Sequence, residues 1–201
     1  MKHPSSDDLE IVARIRAGDK ESFSALVEKY SQRVFQSCMG FLHDTDEAAD
    51  LTQEVFVKVF EKLGDFRGEA SFSTWLYRIT LNMALNHSRK LKLKRFFYRF
   101  SEDGQRPELQ LTNDSSADSG IIREEQRQLI RKCVDKLPAM QRKAFILNHY
   151  QDMSNSEMAS VLRLSLKATE SLLFRARSRM KTELKKSLNP EIWSVSNTNK
   201  Q

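Results

Sequence analysis

Trp75, Arg78, Asn82, Asn86 and Arg89 recur at helical spacing within residues 66–89. At about 100° per residue they fall on one side of a helix. Leu76, Tyr77, Thr80, Leu81, Met83 and Ala84 fall largely on the other. One face can therefore bury itself, while the second presents an aromatic ring heading a ladder of amide and guanidinium groups. Arginine neutralises phosphate, asparagine bonds base edges, and an aromatic at a helix start stacks on an unpaired base. A half-buried tryptophan on a solvated polar face is the alternative. The basic run from Arg89 to Arg95, which includes Lys90, favours a polyanion.

The helix carrying this face follows a short glycine-containing loop, with Ser71 to Thr74 available to cap its start. Before it, residues 7–17 read as a short helix ended at Ala17-Gly18-Asp19. A longer one follows, with Phe23, Leu26, Val27, Tyr30, Val34, Cys38 and Phe41 as a continuous stripe. Asp44 and Glu47 form a candidate capping box opening a helix over 45–63. That helix is expected to bury Leu51, Val55, Phe56, Val59, Phe60 and Leu63. Its other face carries Asp46, Asp50, Gln53, Glu54 and Val57. Such a face is usually just solvated, but an apolar residue inside a polar rim also suits a protein partner.

Residues 101–120 hold five acids, one arginine and many small polar residues without periodicity, and 96–121 read as an acidic, flexible linker. Helices resume with Leu129, Ile130, Cys133, Val134 and Leu137, and Pro138 suits the first position of the next helix. Ser154 and Glu157 form a second capping box. A short helix over 156–162, a turn at Arg163-Leu164-Ser165 and a basic helix to about Lys186 make a helix-turn-helix. Leu166, Thr169, Leu173, Ala176 and Met180 are expected inside; Lys167, Ser171, Arg175 and Ser178 face out, with Ala168 and Glu170 at the flank and Arg179 near the edge.

The 201 residues carry a net charge of +6, with 39% hydrophobic and 30% charged residues, which favours two small helical bodies over one large core. No apolar run approaches the roughly 20 residues of a membrane span, so no membrane insertion is expected. The start lacks the apolar segment of a secretory signal. Cys38 and Cys133 read as small buried hydrophobes in a reducing cytoplasm. No spacing suggests a metal, a cofactor or a nucleophile–base pair, so no catalysis is expected.

Taken in order, these features resemble the extracytoplasmic-function class of the sigma-70 family of RNA polymerase sigma factors. The resemblance rests on Ala17-Gly18-Asp19, on residues 46–60, on the run from Phe66 to Ile79, and on Leu137-Pro138 with Arg142. It continues through Glu157-Met158-Ala159 with Leu162 and through Ser165 with Glu170 to Arg177. It implies an all-α fold with a sigma2-like bundle at 8–95, the linker, a sigma4-like helix-turn-helix domain at 122–186 and a tail at 187–201. It further implies a cytoplasmic protein that binds core polymerase through the β′ clamp helices and the β flap, promoter DNA, and an anti-sigma factor. Asp46, Asp50, Gln53, Glu54 and Val57 would hold the clamp helices. Arg67, Phe72, Trp75, Arg78, Asn82, Asn86, Arg89 and Lys90 would open and hold the −10 element. Lys167, Ala168, Glu170, Ser171, Arg175 and Arg179 would contact the −35 element. Two departures stand out: Arg163 replaces the glycine common in the turn, and Glu170 stands where lysine is frequent. The rival readings are a helix-turn-helix regulator acting alone, which leaves the Trp75 face without a task, and an adaptor using both bodies for protein contacts.

Overall fold

The computed structural model describes residues 6–100 and 119–187. Among the described residues the secondary structure is helical: α1 (Ser6–Arg16), α2 (Phe23–Leu42), α3 (Thr45–Glu61), α4 (Phe72–Phe100), α5 (Ser119–Asp135), α6 (Ala139–Gln151), α7 (Asn155–Leu162) and α8 (Leu166–Ser187). Gly18 turns the chain after α1 at φ 108, a backbone angle that side-chain-bearing residues rarely adopt.

The apolar stripe of α2 lies inside as its spacing requires, with Leu26, Tyr30, Val34, Cys38 and Phe41 all buried. Burial pushes the Cys38 thiol up to about 11, so it stays protonated and behaves as a small hydrophobe. His43 closes α2 in the left-handed region, and the Asp44 side chain accepts from the Glu47 N–H at 3.0 Å to start α3. Only this half of the expected box forms, because the Glu47 carboxylate meets His87 of α4 at 2.6 Å. α3 buries Leu51, Val55, Phe56 and Val59. Phe60, expected inside, is 39% exposed and rests edge-on against Phe23.

Ser71 Oγ accepts from the Thr74 N–H and opens α4, which extends through Phe100. Residues 96–100 are therefore helix rather than linker. The Leu, Lys, Arg and Phe that dominate the run tolerate helix well, and no Gly or Pro stops it. The rest of the expected linker to residue 118, and the tail from 188, lie outside the described residues. α5 begins at Ser119, a few residues before the expected domain boundary. Pro138 occupies the cap of α6 with ψ 148, one place earlier than expected; its missing N–H costs nothing there either. Ser154 and Glu157 form the full reciprocal box at α7.

The two bodies pack on one another. α2 lies against α6 and α4 against α7, and one buried cluster runs from Val12 through Tyr77 to Ile146, Leu147, Met158 and Val161. Full burial of an aliphatic side chain contributes about 1.5–3 kcal/mol, so Ile146, Leu147 and Met158, each 0% exposed, make this contact substantial. A smaller cluster of Cys133, Val134, Leu137 and Met180 ties α5 to α8.

Candidate nucleic-acid interface

The α4 face begins in a loop where Arg67 is exposed and Gly68 takes φ 73. Phe72, expected to meet DNA, is instead in the core at 1% exposure. Its ring lies between those of Tyr30, Phe66 and Trp75, with centroids 5.6, 5.8 and 5.9 Å away. Tyr30 and Phe66 are themselves buried, so an inward Phe72 gains apolar contact that a DNA-facing ring would forgo. Trp75 is half-buried, with its ring centroid 5.4 Å from that of Phe66.

Further along, the same face meets the second body. Arg78 donates from Nη2 to Ser160 O at 2.6 Å and from Nε to Val161 O at 3.3 Å. These carbonyls end α7, where acceptors lack an intrahelical partner and the dipole is negative. Burial, and then the charge of Arg163, lower the Arg78 pKa without approaching neutrality at physiological pH. Asn82 accepts from Lys143 Nζ at 2.6 Å while staying exposed. Asn86, Arg89 and Lys90 are exposed and continue the face.

On α3, Asp46, Asp50, Gln53, Glu54 and Val57 are all exposed, Val57 at 60%. Five of the residues lining a shallow hollow here are Asp50, Gln53, Glu54, Val57 and Met83 of α4. On α8, Lys167, Glu170, Ser171, Arg175 and Arg179 are exposed and Ala168 is partly so. Leu166, expected inside, is 50% exposed, and Leu172 takes an inside place the sequence reading missed. The helix start explains the exchange: Ser165 caps α8 by accepting from the Ala168 N–H, which leaves Leu166 before the packed turns. Arg163 adopts φ 56 and ψ 45, so the turn needs a left-handed residue although glycine is absent.

The placement of two groups of residues escaped the sequence reading. Phe174 is 74% exposed on α8, and its position seven residues after Lys167, two helical turns on, was available as a signal. Arg142, Lys143 and Gln151 meet the first body, and nothing local in the sequence marks a long-range contact of that kind. Arg142 is 3% exposed, donates to Phe41 O at 2.7 Å and to Ser88 Oγ at 3.3 Å, and pairs with Asp135 at 2.5 Å. Its guanidinium also lies 4.9 Å from the Phe41 ring centroid. Gln151 accepts from Tyr77 OH and donates to Arg33 O and Ser37 Oγ. Among the described residues no His, Cys, Asp and Glu group of three or more is placed to hold a metal, and no helix is long and apolar enough to cross a membrane.

Residues 26–105 match the family described as Sigma-70 region 2, and residues 127–180 that described as Sigma-70, region 4. The RNA polymerase sigma-H factor of Pseudomonas aeruginosa is 32% identical over 185 residues, covering 85% of this chain and 90% of that protein. The ECF RNA polymerase sigma-E factor of Escherichia coli K12 is 28% identical over the same shares of the two chains, 85% and 90%. Among solved structures, CnrH in complex with the cytosolic domain of CnrY aligns with a TM-score of 0.62 at 26% identity, covering 89% of this chain and 97% of that one. RpoE of Bartonella quintana, in complex with the anti-sigma factor NepR, shares the fold with a TM-score of 0.54 at 20% identity, over 82% of this chain and 98% of that one. The chain belongs to the sigma-70 family of promoter-recognising RNA polymerase sigma factors, in its extracytoplasmic-function class.

Proposed function

We propose that the three faces divide the work of initiation. Asp46, Asp50, Gln53, Glu54 and Val57 dock on the β′ clamp helices of core polymerase. Arg67, Trp75, Arg78, Asn82, Asn86, Arg89 and Lys90 hold the melted −10 strand, with Trp75 as the stacking ring. Lys167, Ala168, Glu170, Ser171, Arg175 and Arg179 enter the −35 major groove, and the second body also meets the β flap. Residues 8–95 and 122–186 are the functional units, in the cytoplasm where polymerase works, and no catalytic step is assigned. CnrH and the Bartonella RpoE were solved bound to partner proteins, and this chain is assigned an anti-sigma partner by that likeness.

The observation carrying this reading is Val57, 60% exposed within a rim of Asp50, Gln53 and Glu54. A solvated face has no need of an exposed valine at its centre, whereas an interface does. The test adds purified protein and core polymerase to genomic fragments and maps transcript starts. Wild type should give discrete starts. The double variant Asp50→Lys/Glu54→Lys should lose them and the co-purified polymerase, while keeping its helical circular dichroism. Retained polymerase binding would exclude the α3 face as the docking surface.

A further inference from the structure

We propose that Arg16, at the end of α1, is a positioning residue for capture of the −10 strand. Its guanidinium gathers the turn that leads into the loop before α4 and, through Phe66, sets where Trp75 stands. The capture part rests on the proposed stacking role of Trp75; the placement of Trp75 by Arg16 does not. Leu63–Asp65 form a short 3-10 turn between α3 and that loop. Arg16 Nη2 donates to Leu63 O at 2.7 Å, to Gly64 O at 3.2 Å and to Phe66 O. Groups 47 to 50 positions apart in the chain are thereby joined.

Carbonyls at the end of a helix lack intrahelical partners and form the negative end of its dipole. A guanidinium is a donor only, and its planar fork can serve several such acceptors at once. Arg16 stands on a fixed base. Val12 and Ile15 of α1 are buried, and Asp19 locks the turn after it, accepting from Arg14 Nη2 at 2.7 Å and from Ser22 Oγ at 2.6 Å. On the far side Phe66 is 3% exposed, its ring centroid 5.8 Å from that of Phe72 and 5.4 Å from that of Trp75. One residue is thus held at its carbonyl by α1 and at its ring by α4. Arg67, next in the chain, is exposed, and Gly68 turns the backbone at φ 73. A ring set in place before the strand arrives spares the ordering cost that binding otherwise incurs. α1 carries none of the residues assigned to the strand, so Arg16 supplies position rather than contact.

Replacing Trp193 by Phe leaves Trp75 as the single tryptophan of the full chain. In that background the emission of Trp75 and its quenching by acrylamide report the ring's surroundings without DNA or polymerase. Arg16→Ala should shift the emission to longer wavelength and increase quenching, with helical circular dichroism kept. Arg16→Lys, which retains a cation but not the planar fork, should fall between the two. Should Arg16→Ala lose its helical signal, Arg16→Lys against the parent carries the same comparison. Holoenzyme made with core polymerase is then offered a single-stranded oligonucleotide bearing the −10 sequence of a mapped promoter. Arg16→Ala should weaken its binding about tenfold, the low end of what one base stack contributes. Arg16→Lys should restore part of that loss, and affinity for core polymerase should be unchanged in both. Trp75 emission and quenching that match the parent in both variants overturn the positioning. Altered emission with unchanged oligonucleotide affinity overturns the role in capture. Trp75→Ala, measured on the same oligonucleotide, separates that failure from failure of the proposed −10 role. If it too binds like the parent, Trp75 is not the stacking ring; if it alone binds weakly, the ring stacks but Arg16 does not place it.

Discussion

Two helices of the first body present polar faces, and their fates differ. On α3 Asp46, Asp50, Gln53, Glu54 and Val57 are all exposed, whereas on α4 Arg78 and Asn82 end on groups of α6 and α7. The difference follows from what the second body offers. α7 ends in open carbonyls and α6 carries Lys143, acceptors and a donor that match an arginine and an asparagine oxygen. The acids of α3 would need cations opposite them. The nearby Lys58 is already paired with Glu61 at 2.8 Å in the same helix. A polar face at helical spacing thus defines a pattern of donors and acceptors, and any surface with the complementary pattern competes for it.

The largest effect expected on this contrast comes from Arg142. Removing one member of a buried charge pair costs about 3–5 kcal/mol where the other is left uncompensated, and less where, as here, the acid is 32% exposed. Here Asp135 would keep only His43 and Lys92, and Phe41 O would lose its donor. In the full chain with Cys38 and Cys133 replaced by Ala and dyes attached at Glu28→Cys and Lys181→Cys, both exposed positions, Arg142→Ala should reduce dye-to-dye transfer, with affinity for core polymerase unchanged. A variant that melts lower yet retains full transfer would show that Arg142 holds the second body together rather than the contact.

A smaller effect sharpens the contrast on α8, whose face is open like that of α3. Replacing Lys167 or Ser171 should change the preferred base at one −35 position, by about 1–3 kcal/mol. Arg179→Ala should weaken all sequences alike and lower the salt slope by about 1. Selection from a randomised −35 library distinguishes the two. Identical preferences for wild type and the Lys167→Ala/Ser171→Ala double variant would remove α8 from base reading.

The helices and most of their caps were legible because each is set within a few residues. The α2 stripe, the Ser154 box and the left-handed turn at Arg163 are cases in point. Phe72 was misread because its place on the wheel is near that of Trp75, and only the tertiary neighbours Tyr30 and Phe66 decide that it turns inward. Arg142 entered the sequence reading as part of a motif, without the contact it makes. Phe41 O lies 101 positions away, and no local pattern encodes a carbonyl at that distance. The outward faces were legible as faces, but not which of them a second body covers.

Acidity gives a finer handle on the covered face. Burial raises the Asp135 pKa, but the hydrogen bond from His43 and the charges of Arg142, His43 and Lys92 outweigh it, leaving the group below its ordinary 3.8. A depressed carboxylate contributes stability that is present above its ordinary pKa and lost as pH falls through the folded value. Transfer between the dyes should therefore drop on acidification below about pH 4, before the helical signal is lost. In Asp135→Asn that step should be missing, and transfer should already be reduced at neutral pH. A step of the same size in both proteins would assign it to other carboxylates.

The smallest expected change runs the other way and should close the contact more firmly. Arg163 holds φ 56 between α7 and α8, a conformation costing a side-chain-bearing residue about 1–2 kcal/mol. Its charge also acts against Arg78 across the contact. Arg163→Gly relieves the backbone and removes the repulsion, while the extra freedom of an unfolded glycine offsets part of the gain, about 0.5–1 kcal/mol. A net stabilisation of a few tenths of a kcal/mol to about 1 kcal/mol is expected. Arg163→Ala separates the contributions, since alanine keeps the strained angle but lacks the charge. Both variants should raise dye-to-dye transfer. Only the glycine variant should also raise the melting temperature. Polymerase docking on α3 should be the same in all three proteins, because Arg163 touches none of that face. If alanine leaves transfer unchanged while glycine raises it, the turn sets the position of α7 and the charge on Arg163 is irrelevant to the contact. If neither variant alters transfer, the Arg78 side of the contact contributes nothing to holding the bodies together.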